Sequence, residues 1–224
     1  MTVEAVLFDL DDTLCTYNRP GAELLPIAFE RAGVEPFFTV DEYHRRYGEF
    51  VEGSATTAEL RERCFATIAE ERGYDPETGR AVAEAYAAER DHGNVSVRPG
   101  VEAALATLAQ THRLGIVTNG APGMQQEKLD ATGLAEYFET MVNAGFDTPS
   151  KPDPAPFEQA LRTLDVGADR AVYVGNSLTS DVAGARAAGL RSVWIPVDEP
   201  APNPQPRPDH VLRSPEELLP PPWE

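Results

Sequence analysis

The first apolar block of the chain, Val3 and Ala5 to Phe8, has the unbroken run of a strand buried on both faces, and it ends in FDLDDTL, three aspartates within four positions. From residue 16 to about 94 the period changes. Leu60, Cys64 and Ile68 recur four apart with Phe65 and Ala69 beside them, glycines at 33, 53, 73 and 93 punctuate the segment, and hardly any strand pattern is present. About four helices are predicted there. From Arg98 onward helix and strand alternate: VEAALATLAQ, the strand LGIVTNG (114–120), a helix through 124–132, the strand MVNAG (141–145) and a helix after KPDPA (151–155). The strand AVYVG (171–175), the helix DVAGARAAG (181–189) and the strand SVWI (192–195) complete the series. Six prolines between 196 and 208 exclude a central strand or helix, and an edge element at 210–212 and a helical turn at 215–219 close the chain.

Repeated strand and helix predict an α/β fold, a Rossmann-like doubly wound parallel sheet with helices on both faces. The helical segment is then an insert: residues 1–15 and 95–224 form the α/β core, and 16–94 an all-helical domain placed after its first strand.

At 224 residues with 42% hydrophobic content, the chain suits one full core plus an insert. No run is long enough to span a bilayer, and residues 1–7 lack the basic start of a signal peptide, so a cytoplasmic protein is expected. Cys15 and Cys64, and histidines at 44, 92, 112 and 210, are too scattered for a disulfide framework or a zinc cluster. Any metal chemistry must then use oxygen ligands, which favours magnesium. The net charge of −18 repels nucleic acid and anionic membranes. It also suggests adaptation to a salt-rich cytoplasm, such as that of a halophilic archaeon. Of the 19 basic residues, only Lys128 and Lys151 are lysines.

In open parallel sheets the reactive crevice lies beyond the carboxyl ends of the strands. Polar groups sit at four such ends: Asp9, Asp11 and Thr13; Thr118 and Asn119; Lys151; and Asn176 with Asp181. A calcium loop starting at Asp9 is disfavoured, because its sixth position is Leu14 and its twelfth Pro20. A hairpin turn at Asn119 and Gly120 is disfavoured because a helical pattern comes next. Lys151 could be a solvated residue before a helix, but a chain so sparing of lysine makes that less natural.

These motifs resemble, in order, those of the haloacid dehalogenase superfamily of phosphohydrolases: Asp9, Asp11 and Thr13 as DxDxT, Thr118 at a strand end, Lys151 before a proline, and the acidic loop Gly175 to Asp181. The helical insert looks like the family's C1 cap. The resemblance implies that Asp9 attacks phosphorus to form an aspartyl phosphate, while Asp11 protonates the leaving alcohol and then activates water. It implies that Thr118, with the amides of Asn119 and Gly120, and Lys151 bind the phosphoryl group. It also implies a magnesium cofactor held by Asp9, the Asp11 carbonyl and Asp181. Many relatives carry Asp where this chain has Asn176, which could ligate the metal without adding charge. The expected protein is a phosphomonoesterase for a small phosphate ester, monomeric or homodimeric. Phosphoglycolate, a sugar phosphate and a nucleoside monophosphate stay open as substrates. A phosphomutase, a 2-haloacid dehalogenase and a binding protein on the same core are the alternatives, Asp11 arguing against the dehalogenase. Thr13 is expected to tie its loop through its hydroxyl, Asp12 to face away and Cys15 to be a packing residue. Tyr17, Asn18, Arg19, Arg45 and Arg46 are candidates for choosing the leaving group.

Overall fold

Two neighbouring segments of four and three residues, β1 (Ala5–Phe8) and β2 (Cys15–Tyr17), open the chain in the computed structural model, which describes every residue except 1, 52, 55 and 201. Next come four helices, α1 (Gly21–Ala32), α2 (Val40–Arg46), α3 (Thr57–Glu71) and α4 (Pro76–Glu89), and the chain returns at β3 (Val95–Val97). The remaining elements are α5 (Val101–Leu108), β4 (Arg113–Thr118), α6 (Pro122–Thr132), β5 (Thr140–Asn143), α7 (Ala155–Leu164), β6 (Ala171–Gly175), α8 (Ala183–Ala187), β7 (Arg191–Trp194) and β8 (His210–Val211). The chain divides into two compact units, Met1–Thr16 with Val95–Glu224, and Tyr17–Asn94.

The first unit is built on a six-stranded sheet of order β5-β4-β1-β6-β7-β8, and its pairings are parallel. Phe8 stands opposite both Ile116 and Val174, so β1 is the central strand and its carboxyl end meets those of β4 and β6. After β1 the chain builds outward through β4 and β5 on one side and through β6, β7 and β8 on the other. That reversal of order makes a crevice at the β1 edge. Successive side chains of β1 enter different cores, which is why its apolar run is unbroken. Val6 and Phe8 pack with Leu10, Leu105, Ile116 and Val174, whereas Ala5 and Leu7 pack with Val117, Phe157, Leu164 and Tyr173. Burying each large side chain contributes about 1.5–3 kcal/mol.

The second unit is helical. Thr39, Thr56 and Asp75 cap α2, α3 and α4 by accepting the amides of Glu42, Glu59 and Glu77, which meets donors the first turn leaves open. Phe29 of α1, Phe65 and Ile68 of α3 and Val82 and Tyr86 of α4 form its core. Among the described residues no helix is long and apolar enough to cross a membrane.

Two features depart from the sequence pattern. β2 and β3 form a separate two-stranded sheet at the two ends of the helical insert, where the pattern marks no strand; at three residues each they are too short to show a period. The helix expected at 181–189 begins instead as a wide turn, in which the Val182 amide donates to the Ser177 carbonyl, and continues into the five-residue α8.

Candidate active site

Asp9 comes directly after β1, and its amide still donates to Val174 O at 2.9 Å, so the backbone stays strand-like until the carboxyl group is delivered to the sheet edge. Beyond it the amides of Thr13, Leu14 and Cys15 converge on the Leu10 carbonyl at 3.4, 3.0 and 3.2 Å. The turn places Asp12 at φ 55, exposed, with its carboxylate accepting from the Thr16 hydroxyl. The Thr13 hydroxyl, expected to tie this loop, is buried with no hydrogen-bond partner among the described residues; the convergent backbone closes the loop instead. Cys15 is buried, and burial pushes its thiol up to about 12, which suits packing and not reactivity.

Lys151, brought in on the loop between β5 and α7, is the centre of the first cluster. Its Nζ donates to Asp9 Oδ1 at 2.9 Å and to Asp181 Oδ1 at 2.7 Å, and lies within 2.8 Å of Tyr173 Oη and 3.0 Å of Val117 O. Asp181 Oδ2 accepts the Ser177 amide at 2.8 Å. Gly175 is required for this approach, because a Cβ there would lie 2.5 Å from Asp181 Oδ2. Burial disfavours the Lys151 charge, yet Asp181 and Asp9 outweigh it and raise its pKa. Burial likewise pushes the Asp9 carboxyl up to about 7; Lys151 opposes this, and Asp181 and Asp11 add to it.

Asp11 belongs to a second cluster. Its Oδ1 accepts from Lys128 Nζ at 2.5 Å and its Oδ2 from Gln125 Nε2 at 2.8 Å. The same Gln125 nitrogen donates to Thr118 Oγ1 at 2.6 Å, and the Gly120 amide donates to that oxygen at 3.3 Å. Burial works to raise the Asp11 pKa, but Lys128 and Gln125 prevail and hold it below the usual carboxylate range. Lys128 and Gln125 are not among the residues that the sequence marks as functional. The rarity of lysine is the available signal, together with a spacing of three that puts both on one face of α6.

Asn119 serves the backbone: its Oδ1 accepts the Lys151 amide at 2.8 Å and its Nδ2 donates to the Lys151 carbonyl at 3.2 Å, fixing the loop that carries the lysine. Asn176 comes directly after β6, half-buried, its carbonyl accepting from Trp194 Nε1 at 2.8 Å. In the helical unit Tyr17 Oη is 2.7 Å from His92 Nδ1, and Asn18 Nδ2 donates to Asn94 Oδ1 at 2.9 Å. There too Arg19 pairs with Glu89 and Arg46 with Glu49 and Glu71, while Arg45 is exposed.

Among the described residues Asp9, Asp11 and Asp181 pair with two ammonium groups, those of Lys151 and Lys128, so the three carboxylates keep an excess of negative charge. Their donors are oxygens. That combination fits a hard divalent cation such as magnesium. Among the described residues no three His, Cys, Asp or Glu side chains gather into a metal centre, so such an ion would need carbonyl, amide and water oxygens besides two carboxylates.

A family model described as haloacid dehalogenase-like hydrolase matches residues 3–189. The phosphoserine phosphatase of Thermus thermophilus is 33% identical, covering 86% of this chain and 88% of its own. A plasmid-borne phosphoglycolate phosphatase of Cupriavidus necator is 38% identical over 83% of this chain and 78% of its own. Among solved structures, the putative hydrolase YfnB from Bacillus subtilis, bound to magnesium, has a TM-score of 0.72 at 26% identity, with 98% of each chain covered.

Proposed function

The chain belongs to the haloacid dehalogenase-like hydrolase family, and from that membership we propose that it is a magnesium-dependent phosphomonoesterase acting on a small phosphorylated metabolite through an aspartyl phosphate. The observation that carries the reading is Asp11, a second carboxyl group two residues beyond Asp9 at the same strand end. An alcohol leaving group needs a proton and a halide does not, so this residue favours phosphate esters over haloacids.

An Asp9 carboxylate oxygen attacks phosphorus, and the bond from phosphorus to the ester oxygen breaks. The departing oxygen takes the Asp11 proton and leaves as the alcohol. Water then attacks the aspartyl phosphate and gives its proton to Asp11, releasing inorganic phosphate and restoring Asp9. Alternate side chains of an extended segment share a side, so both carboxyls can face one phosphoryl group. Thr118 accepts from Gln125 and Gly120 through Oγ1, which leaves its own proton for a phosphoryl oxygen, beside the Asn119 and Gly120 amides. Lys151 offsets the charge of Asp9 and of the phosphoryl group. Asp9, the Asp11 carbonyl, Asp181 and Asn176 would hold magnesium, which when bound supplies positive charge beside the transferring group.

The relatives are named for phosphoserine and phosphoglycolate, so small phosphorylated acids come first in a substrate panel. The strongly acidic charge supports a protein of salt-rich cytoplasm without nucleic-acid or membrane partners.

The test is hydrolysis of p-nitrophenyl phosphate in molar KCl, with and without magnesium, by wild type and Asp9→Asn. The expected result is magnesium-dependent turnover that falls by at least about 1000-fold in the variant, since the nucleophile is gone. Folded wild type without turnover, or an equally active variant, overturns the reading. Transfer of the phosphoryl group to a sugar instead of water would identify a mutase.

A further inference from the structure

We propose that Gln125 and Lys128 of α6 are positioning residues that hold the Asp11 carboxyl group for proton delivery to the departing alcohol. The proposal rests on the phosphomonoesterase reading and extends it to two residues outside the four motifs.

Asp11 stands at the open edge of the sheet with 38% of its side chain exposed. An aspartate so exposed ordinarily turns freely, and a proton donor must be held within hydrogen-bond reach of the atom it serves. Here each of its oxygens has its own donor on α6, Lys128 on Oδ1 and Gln125 on Oδ2. Gln125 is fully buried, and its Nε2 also reaches Thr118 Oγ1, so a single amide ties the proposed proton donor to the proposed phosphoryl-binding hydroxyl. The carboxylate and hydroxyl acceptors around that nitrogen fix which end of the amide is which. The chain makes room for it: a Cβ on Gly120 would lie 2.0 Å from Gln125 Nε2.

Lys128 is 1% exposed. An ammonium group is costly to bury and is held there only against a partner that compensates it, here the Asp11 carboxylate. A lysine kept there acts on what it touches. The chain spends arginine elsewhere and has two lysines in all, and both are buried against aspartates of FDLDDTL. Arginine would not replace Lys128 simply, because its planar fork needs more room and more partners than a compact ammonium.

The test compares two aryl esters with wild type, Lys128→Met and Gln125→Met. p-Nitrophenolate leaves without a proton, whereas the far more basic phenolate of phenyl phosphate leaves only with one. If α6 positions Asp11, Lys128→Met lowers kcat/KM on phenyl phosphate, which reports the steps up to departure of the alcohol, by about 10- to 100-fold and changes kcat/KM on p-nitrophenyl phosphate less than about threefold. Gln125→Met, which also releases Thr118, lowers both, phenyl phosphate by the larger factor. In an Asp11→Asn background, Lys128→Met then adds no further loss on phenyl phosphate, because what it positions is gone. Equal losses on both esters, or a full additional loss on top of Asp11→Asn, overturn the proposal. If Lys128→Met does not fold, Gln125→Met decides alone by the same contrast. A folded wild type that turns over neither ester overturns the phosphomonoesterase reading, and the positioning role with it.

Discussion

Asp9 and Asp11 are two residues apart and live in opposite electrostatic surroundings. Asp9 shares Lys151 with Asp181, and burial takes its carboxyl up to about 7; Asp11 accepts from Lys128 and Gln125 and lies below the usual range. In the site without cation or phosphate this is the reverse of what attack by Asp9 and proton delivery by Asp11 need. A bound cation lowers the Asp9 pKa, and an incoming phosphate dianion raises that of Asp11. Asn176 bears on the same balance, since it brings oxygen without charge to the loop that carries Asp181. In Asn176→Asp a further carboxylate joins a cluster already in negative excess. The magnesium concentration for half activity is expected to fall by about tenfold, roughly 1.4 kcal/mol of binding. The thermal midpoint in EDTA is expected to fall as well, from the added repulsion. An unchanged or higher magnesium requirement would remove Asn176 from the proposed ligands.

At the scale of elements, α3 and α4 pack backbone to backbone. Gly79 of α4 lies against the backbone of α3, and an added Cβ would stand 2.2 Å from Phe65 O and 2.6 Å from Ala66 N. Backbone cannot move aside as a side-chain tip can, so Gly79→Ala is expected to cost about 1–3 kcal/mol through separation of the two helices, although alanine favours a helix more than glycine does. Denaturant unfolding followed by far-UV circular dichroism measures it, and a variant as stable as wild type would show that the helices slide apart freely. Elements were legible in the sequence to the extent that their burial was regular. β1, β4 and β6 stand out because both faces are covered, and α7 because Phe157, Ala160, Leu161 and Leu164 line one face. β2 and β3 did not, since three-residue strands, one with a single buried position and the other with none, have no period to read. The wide turn at Leu178–Val182 was hidden for another reason: it keeps helical composition while spacing its hydrogen bonds differently.

For the whole molecule, the charge of −18 sets the response to salt. Exposed pairs such as Arg113 with Glu139 and Arg170 with Glu4 are weakened by salt, but each contributes about 0–1 kcal/mol. The unpaired excess repels itself throughout, and molar salt shortens the screening length from about 8 Å to about 3 Å. The repulsion is the larger effect, so the unfolding midpoint is expected to rise between low and molar KCl, by about 2–4 °C for each kcal/mol gained. Equal midpoints would refute salt adaptation. The sequence by itself determined the features that period and spacing dictate: an α/β core with a helical insert, and Asp9, Asp11, Thr118, Lys151 and Asp181 near strand ends, because covalent order and side-chain alternation decide which end of a strand a residue occupies. Tertiary structure alone decided the partners. Lys151 comes to Asp9 across 142 positions and Lys128 to Asp11 across 117, and no local pattern links residues so far apart. Only the order in which the strands lie side by side, and the glycines that let Gln125 and Asp181 approach, settle which lysine serves which carboxylate.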